Sequence, residues 1–441
     1  MFRALRHRNY KLFFSGQLVS LVGSFLTLTA TSWLVLRLTH SAKWLGIVAF
    51  AGQIPLFFLS PIAGVWVDRI NRRRLLVITQ TLAMLESFAL AALALSGIIT
   101  VPEIIALNFC QGVINAFDIP GRQAFLVEMI TDRADLPNAI ALNSIMVHGA
   151  RLIGPAMAGL LIAWVGEGYC FTIDGVSYLF VIAALIAMNV VPRVIPPKRS
   201  VLADLREGLG YIWNHLPIRT ILTLMAVMSL TGMPALAVLL PIFGAHFGGS
   251  ASHGAEVFGM LGAFVGFGAL IGAFQLASRK TVVGLGRMIG IAAAVFGLAL
   301  AAFGLSPYLW LSIMIVPFGG WGMITLFASS NTILQTLVED DKRGRVMSFF
   351  ALAFIGVTPF GNLIAGALAS RLTPAGADQV IGASRALWIE ATVCLIAAVV
   401  FALKLPAIRK IIRPIYLDKG ILPAVAGGLQ ASAAATRAGE E

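Results

Sequence analysis

Ionisable side chains set inside long apolar runs are where this sequence could do chemistry. Glu86 stands in "AMLESFAL", Asp118 in "NAFDIPGR", and His148 and Arg151 lie one turn apart in "MVHGARLIG". A carboxyl or an imidazole held in hydrocarbon can bind and release a proton, so Glu86, Asp118 and His148 are candidates for proton coupling. Arg151 is a cation inside such a run and needs a partner, and Glu86 or Asp118 could serve. That pairing would keep the acid ionised, so the two roles of Glu86 oppose each other, and purely structural pairing is a third reading. Asp174 and Glu390 are further acids within apolar runs, nearer the ends that face away from the termini.

Uncharged polar residues form a second pattern. Gln17, Ser20, Ser24, Thr27 and Thr31 repeat at intervals of 3, 4, 3 and 4, which places them on one face of a helix. Asn108, Gln111, Asn115, Asp118 and Arg122 repeat the same spacing, Ser144, His148 and Arg151 form a shorter stripe, and Thr325, Ser329 and Thr332 a looser one. A polar face is costly against lipid, so these stripes should line a water-filled cavity holding a substrate, or meet a neighbouring helix. For Ser and Thr alone, close helix packing is the competing reading.

The elements that must position these residues follow from composition. With 59% apolar and 12% charged residues over 441 positions, the chain is an integral membrane protein. Twelve runs, at about 12–36, 44–67, 74–96, 101–121, 137–165, 168–191, 217–244, 254–277, 285–304, 306–337, 345–371 and 384–405, are each long enough as helices to cross a hydrocarbon core about 30 Å thick. They are too long and too uniformly apolar for barrel strands. The net charge of +12 does not point to nucleic acid, because of where the cations fall. With the N-terminus in the cytoplasm, all of the 32 Lys and Arg except Arg37, Lys43, Arg371, Arg385 and the intramembrane Arg151 lie in cytoplasmic segments. That bias sets both termini inside. The basic N-terminus precedes an apolar run of about 25 residues, longer than a signal-peptide core and therefore read as a retained span. Cys110, Cys170 and Cys394 are too scattered for a metal site or a disulfide framework.

Gly154 and Gly159 in the fifth run have counterparts Gly361 and Gly366 in the eleventh at an offset of 207, and Gly64 has Gly272 at 208. The expected organisation is an N-terminal six-helix bundle (1–192), a cytoplasmic linker (193–216) with an amphipathic surface helix, a C-terminal six-helix bundle (217–406), and a cytoplasmic tail (407–441) disordered at its end. Two such halves with a path between them form a transporter architecture.

Three groups of motifs carry a resemblance. "GVWVDRINRRR", through Gly64, Asp68, Arg69, Arg72 and Arg73, resembles the loop signature of the major facilitator superfamily; a usual second glycine is Asn71, a residue that tolerates a left-handed turn. "GARLIGPAMAG", through Gly149, Gly154, Pro155 and Gly159, resembles the signature associated with its proton-coupled antiporters. "FDIPGRQAF", "LPNAIALNS" and "RGRVMS" resemble the bacterial efflux branch that includes the enterobactin exporter. The resemblance implies an all-α fold of twelve transmembrane helices in two pseudo-symmetric six-helix bundles. It also implies a gating network of Gly64, Asp68, Arg69, Arg72, Arg73 and Arg122, with Asp118 beside them, in which Asp68 meets free backbone N–H groups around Gly344 to Val346. The arginine often found three residues before a Gln-Gly pair in the fourth span is Asn108 here, so no proton relay through that arginine carries over.

The expected function is export of a small lipophilic molecule, a siderophore or drug-like compound, by proton antiport with alternating access. One charge crossing about 100 mV supplies about 2.3 kcal/mol, enough for roughly a fifty-fold gradient of a neutral solute. No phosphate-binding loop or metal constellation is present in the sequence, so neither an enzyme nor a cofactor is expected. The expected partners are the solute, protons and the lipid bilayer of a bacterial inner membrane, with the chain acting as a monomer and binding no nucleic acid. A proton-coupled nutrient importer, a lipid or lysophospholipid carrier, and a non-transporting membrane scaffold are the alternatives.

Overall fold

The computed structural model describes residues 3–67, 70–130, 132–188, 209–279, 281–418 and 421, and every regular element among them is helical. In hydrocarbon a helix satisfies its own backbone hydrogen bonds, which is why uniformly apolar runs take this form. The first half contains α1 (Arg8–Thr39), α2 (Ala42–Val67), α3 (Arg72–Leu95), α4 (Val101–Met129), α5 (Leu136–Val165) and α6 (Glu167–Ala187). In the second half α7 (Leu216–Pro234) passes through a π-helical turn at Ala235–Leu239 into α8 (Leu240–Gly248). There follow α9 (Ala251–Ala277), α10 (Leu285–Gly304), α11 (Leu309–Leu337), α12 (Asp340–Ala351), a second π-helical turn at Leu352–Gly356, α13 (Thr358–Leu372) and α14 (Gln379–Asp418).

Among the described residues, eleven spans are long and apolar enough to cross a membrane, with α7–α8 and α12–α13 each forming one. The twelfth expected span is α4, whose 29 residues are long enough but whose Asn108, Gln111, Asn115, Asp118 and Arg122 lower its hydropathy. α14 runs to Asp418, past the boundary expected at 406. Residues 209–214 are helical and lead into α7, while the middle of the linker and the end of the tail lie outside the described residues.

Within the first half α1 packs on α5 and α6, α3 on α4 and α6, and α2 on α4; within the second, α9 packs on α11, α10 on α11 and α14, and α7 on α13 and α14. The halves meet along two seams, α5 against α9 and α2 against α13. Both are backbone contacts that only glycine permits. A Cβ on Gly159 would stand 2.7 Å from the Ala255 carbonyl oxygen and 3.0 Å from Gly259 Cα. In the other seam a Cβ on Gly366 would stand 2.6 Å from the Ala42 carbonyl oxygen and 2.9 Å from Gly46 Cα. The internal repeat therefore returns in the packing: Gly154 presses on α1 at the Val22 carbonyl, and Gly361 presses on α7 at the Leu230 carbonyl.

Two local expectations are corrected. Asn71 is not in a left-handed conformation: its φ of −61° and ψ of 107° make it the N-cap of α3, its side chain accepting the Arg74 N–H at 3.1 Å. The helix expected to begin around Gly344 begins at Asp340, so its unpaired first-turn N–H groups lie a turn earlier than Gly344 to Val346.

Candidate functional site

The most ordered polar group lies where α3 meets α4. Asp118 Oδ1 accepts from Thr79 Oγ1 and from Gln80 Nε2, both at 2.8 Å, and Oδ2 pairs with Arg122 Nε at 2.6 Å. The pair is one helical turn apart and spans Pro120, where the helix lacks a backbone N–H. Gly121 lets Leu76 approach, a Cβ there lying 3.3 Å from its Cδ2. The exporter-like motif "FDIPGRQAF" thus joins two helices, and "LPNAIALNS" joins two more: Asn138 Oδ1 accepts the Ala4 N–H, and the Ala139 carbonyl accepts the Tyr10 hydroxyl at 2.8 Å.

The polar stripes of α1 and α4 converge on one cavity inside the first half. Gln17, Ser20, Ser24, Gln80, Gln111, Asn115, Asp118, Arg122 and Tyr178 line it, together with Ala83 and Ile114. The Oε1 atoms of three of these residues, Gln17, Gln80 and Gln111, are buried without a donor among the described residues. Next to this cavity lies an acid cluster between α1, α3 and α6. Asp174 accepts from Ser87 Oγ at 3.0 Å, Ser177 Oγ lies 3.4 Å from its other oxygen, Thr27 lies beside it, and Glu86 neighbours Ser87 in α3. Glu86 is buried in α3, and Tyr178, whose hydroxyl is 3.3 Å from Ser24 Oγ, lies within electrostatic reach of Asp174, Glu86 and Asp118.

The remaining candidates do not join this group. Thr31 is buried farther along α1. Asn108 turns to the Ile104 carbonyl and packs at Gly52 of α2. Thr325 packs at Gly272 of α9, Ser329 is buried beside it in α11, and Thr332 bonds the Ala328 carbonyl. Ser144 is exposed and bonds the Ile140 carbonyl, and the Nδ1 of His148 is buried with no partner among the described residues. Arg151 corrects an expectation: among the described residues it pairs with neither Glu86 nor Asp118, and its guanidinium lies over the Phe25 ring, 5.7 Å from the centroid. The aromatic face supplies the negative potential that an acid was expected to supply.

Of the loop signature, Gly64 ends up near the end of α2, while Asp68 and Arg69 lie outside the described residues. Arg72 pairs with Glu128 at 2.7 Å, and Arg73 caps α6 by donating to the Leu185 and Ile186 carbonyls. Both therefore fasten helices of the first half to one another. Gly149 faces open space, whereas Gly154, Pro155 and Gly159 form the α5 surface of the seam and of the α1 contact.

Sequence reading missed Thr79, Gln80, Ser87, Ser177, Tyr178 and Gly23 as members of the polar system. Their signal was weak, because each is a lone polar or small residue whose meaning depends on which helix it faces.

The comparisons agree with this architecture. The family profile described as transmembrane secretion effector matches residues 1–411. The chain is 26% identical over 358 residues to the staphyloferrin A transporter of Staphylococcus aureus, covering 80% of this chain and 88% of that protein. It is 27% identical over 356 residues to the multidrug efflux pump Tap of Mycolicibacterium fortuitum, covering 79% and 86%. The enterobactin exporter EntS of Citrobacter koseri matches at 21% over 378 residues, covering 85% and 89%. Among solved structures, nucleoside transporter NupG superposes with a TM-score of 0.65 at 14% identity, over 91% of this chain and 99% of that one. With two six-helix halves joined at glycine seams and a profile match over nearly its whole length, the chain belongs to the transmembrane secretion effector family of the major facilitator superfamily.

Proposed function

We propose that this chain is a secondary exporter of a small, fairly lipophilic molecule, siderophore-like or drug-like, driven by protons moving the other way. The observation that supports this best is the pair of seams. Two halves held by backbone contacts can rock apart without losing a directional bond at every turn, as alternating access demands. With the termini in the cytoplasm of a bacterial inner membrane, the seam contacts run from mid-helix toward the external face. At that end Trp33 stacks on Phe258 with centroids 6.2 Å apart, and Ala42 N–H donates to Gln379 Oε1 at 3.1 Å.

The relatives named include a staphyloferrin A transporter, multidrug efflux pumps and an enterobactin exporter, and buried acids supply groups able to carry protons. On this reading an anionic group on the transported molecule would be met by Arg151, near the α5–α9 seam. In the same reading the loop signature, with Gly64, Asp68, Arg69, Arg72 and Arg73, closes the cytoplasmic side together with Arg122. The chain makes and breaks no covalent bond, needs no cofactor, and works as a monomer.

The test compares metabolites in culture supernatants and cell extracts, with and without the protein, under iron limitation. A compound that leaves the cells only when the protein is present supports export. A compound that fails to enter, or no change in any metabolite, overturns it.

A further inference from the structure

The N-terminal half holds more polar chemistry than a path between the halves requires. The cavity inside it has a volume of about 20 Å³, room for about one water molecule, and is lined only from α1, α3, α4 and α6. Gln17, Gln80 and Gln111, three of the residues that line it, have buried amide oxygens that accept from no donor among the described residues. A buried acceptor without a donor is costly, and a polar cavity of this size answers that cost with water.

The cavity also has two chemically different ends. At one, Asp118 has its oxygens engaged by Arg122, Thr79 and Gln80. At the other, Ser24 meets the Tyr178 hydroxyl, Ser177 next to Tyr178 in α6 lies 3.4 Å from Asp174, and Asp174 accepts from Ser87, the neighbour of Glu86 in α3. Glu86 and Asp174 are 7% and 1% exposed, and among the described residues no Lys, Arg or His forms an ion pair with either.

The helices packed around these two acids offer little compensating charge. α1 presents Gly23, Ser24 and Thr27, none of them ionisable. α4 presents Asp118, already engaged by Arg122. α6 adds Tyr178, with Cys170 and the Arg37-paired Glu167 toward its far end. α5, packed on α6, carries His148, and Arg151 lies over Phe25. Two neighbouring carboxylates in hydrocarbon would be an uncompensated charge, and a proton supplies the missing positive charge.

We propose that the N-terminal half contains its own water-assisted proton path, running from the Asp118–Arg122 pair through the polar cavity to a proton-binding site formed jointly by Glu86 and Asp174, separate from the route of the transported molecule between the halves. The inference rests on the proton-driven reading above and locates its proton. The proton reaches the acid pair through the hydroxyl and water chain, neutralises one carboxyl, and leaves as the same proton, so nothing is oxidised or reduced. Tyr178 is the relay between the two, because it lines the cavity, its hydroxyl meets Ser24, and it neighbours Ser177 beside Asp174 in α6.

The experiment uses the full-length protein, purified and reconstituted, with Glu86→Gln, Asp174→Asn and Tyr178→Phe beside the wild type and Asp378→Asn as a surface control. Infrared difference spectra recorded across a pH change read the carboxyl proton directly, with no transported molecule present. In parallel, ethidium is the transport probe, followed both in passive exchange and in accumulation driven by a pH gradient.

The wild-type carboxyl signal is expected to vanish or split in Glu86→Gln and in Asp174→Asn and to persist in the control. Gradient-driven ethidium accumulation should fall about a hundredfold in both acid variants while passive exchange continues, and Tyr178→Phe should slow the driven mode alone. An unchanged carboxyl signal in both acid variants, or full gradient-driven accumulation in either, overturns the proposal. Should the wild type not move ethidium at all, the infrared signal still decides the proton site, so failure of the export reading is distinguishable from failure of the acid pair. A variant that does not fold is replaced by Ser87→Ala, which removes the hydroxyl donor to Asp174 and should shift the same signal.

Discussion

Gly23 of α1 and Asp174 of α6 are in contact so close that a side chain on the glycine would occupy the acid's place: a Cβ there would lie 2.6 Å from Asp174 Oδ1 and equally near Ser177 Oγ. The missing side chain is what lets a buried carboxylate lie against the backbone of the neighbouring helix. Gly23→Ala is therefore expected to cost about 1–3 kcal/mol by overpacking and to push Asp174 out of its hydroxyl cage. Thermal unfolding in detergent, compared with Gly149→Ala, where a Cβ meets open space, measures the difference.

Arg122 and Asp118 form an intrahelical pair with a side-chain exposure of 23% for the arginine and 3% for the acid. Removing the arginine alone, as Arg122→Met, strands a buried charge and should cost about 3 kcal/mol. The double variant with Asp118→Asn should recover most of the loss. Equal instability of the single and double variants would show that the pair is not coupled.

The α2–α13 seam can be wedged open. Gly46→Val adds a side chain whose Cβ would lie 2.5 Å from the Asn362 carbonyl oxygen and 3.1 Å from Gly366 Cα, so the two helices must part. The change should cost about 1–3 kcal/mol by overpacking and lower transport, whereas Gly210→Val, where a Cβ meets open space, should do neither. Full transport and unchanged melting in Gly46→Val would mean that the halves do not close along this seam.

Arg151 over Phe25 is a cation held by an aromatic face. Phe25→Leu removes that face and should cost about 0.5–2 kcal/mol of stability. If Arg151 also meets the transported molecule, Arg151→Lys should keep part of the transport and Arg151→Met should lose it at similar folded yield.

Outside the membrane, Asp378 lies in the loop between α13 and α14. Partial burial pushes its carboxyl up, but the Val380 amide and His246, at 2.9 Å, outweigh it and leave the group below the usual carboxylate range. A depressed folded-state pKa stabilises above the unfolded value and is lost as pH falls through the folded one. The contribution should thus be intact at neutral pH and fade below about pH 4. Both partners are substantially exposed, so the effect should be small, and Asp378→Asn should remove it from a plot of melting temperature against pH.

The helices were legible in the sequence because hydrocarbon length and apolar composition leave one solution, and α4 was legible despite its polar load because its apolar residues still bracket a regular stripe. The stripes of α1 and α4 were legible as faces but not as destinations. A polar face in a membrane protein avoids lipid equally well by turning to a central path or to its own bundle, and here Gln17 and Gln111 turn inward together. The partner of Arg151 was not legible, because counting acids finds only acids and Phe25 carries no formal charge. Asp174 was legible as an acid within an apolar run, but its setting was not, because that depends on Gly23, which is distant in sequence and meets it only once α1 packs on α6.

The glycine seams bear on ionic strength. The ion pairs between described residues each lie within one half, and the α5–α9 and α2–α13 contacts are made by carbonyls, glycine Cα atoms and aromatic rings. Salt screens charges and leaves shape untouched. Raised salt should therefore leave the fit of the two halves along these seams unchanged, and any dependence of transport on the ionic medium would have to come from charges elsewhere in the chain.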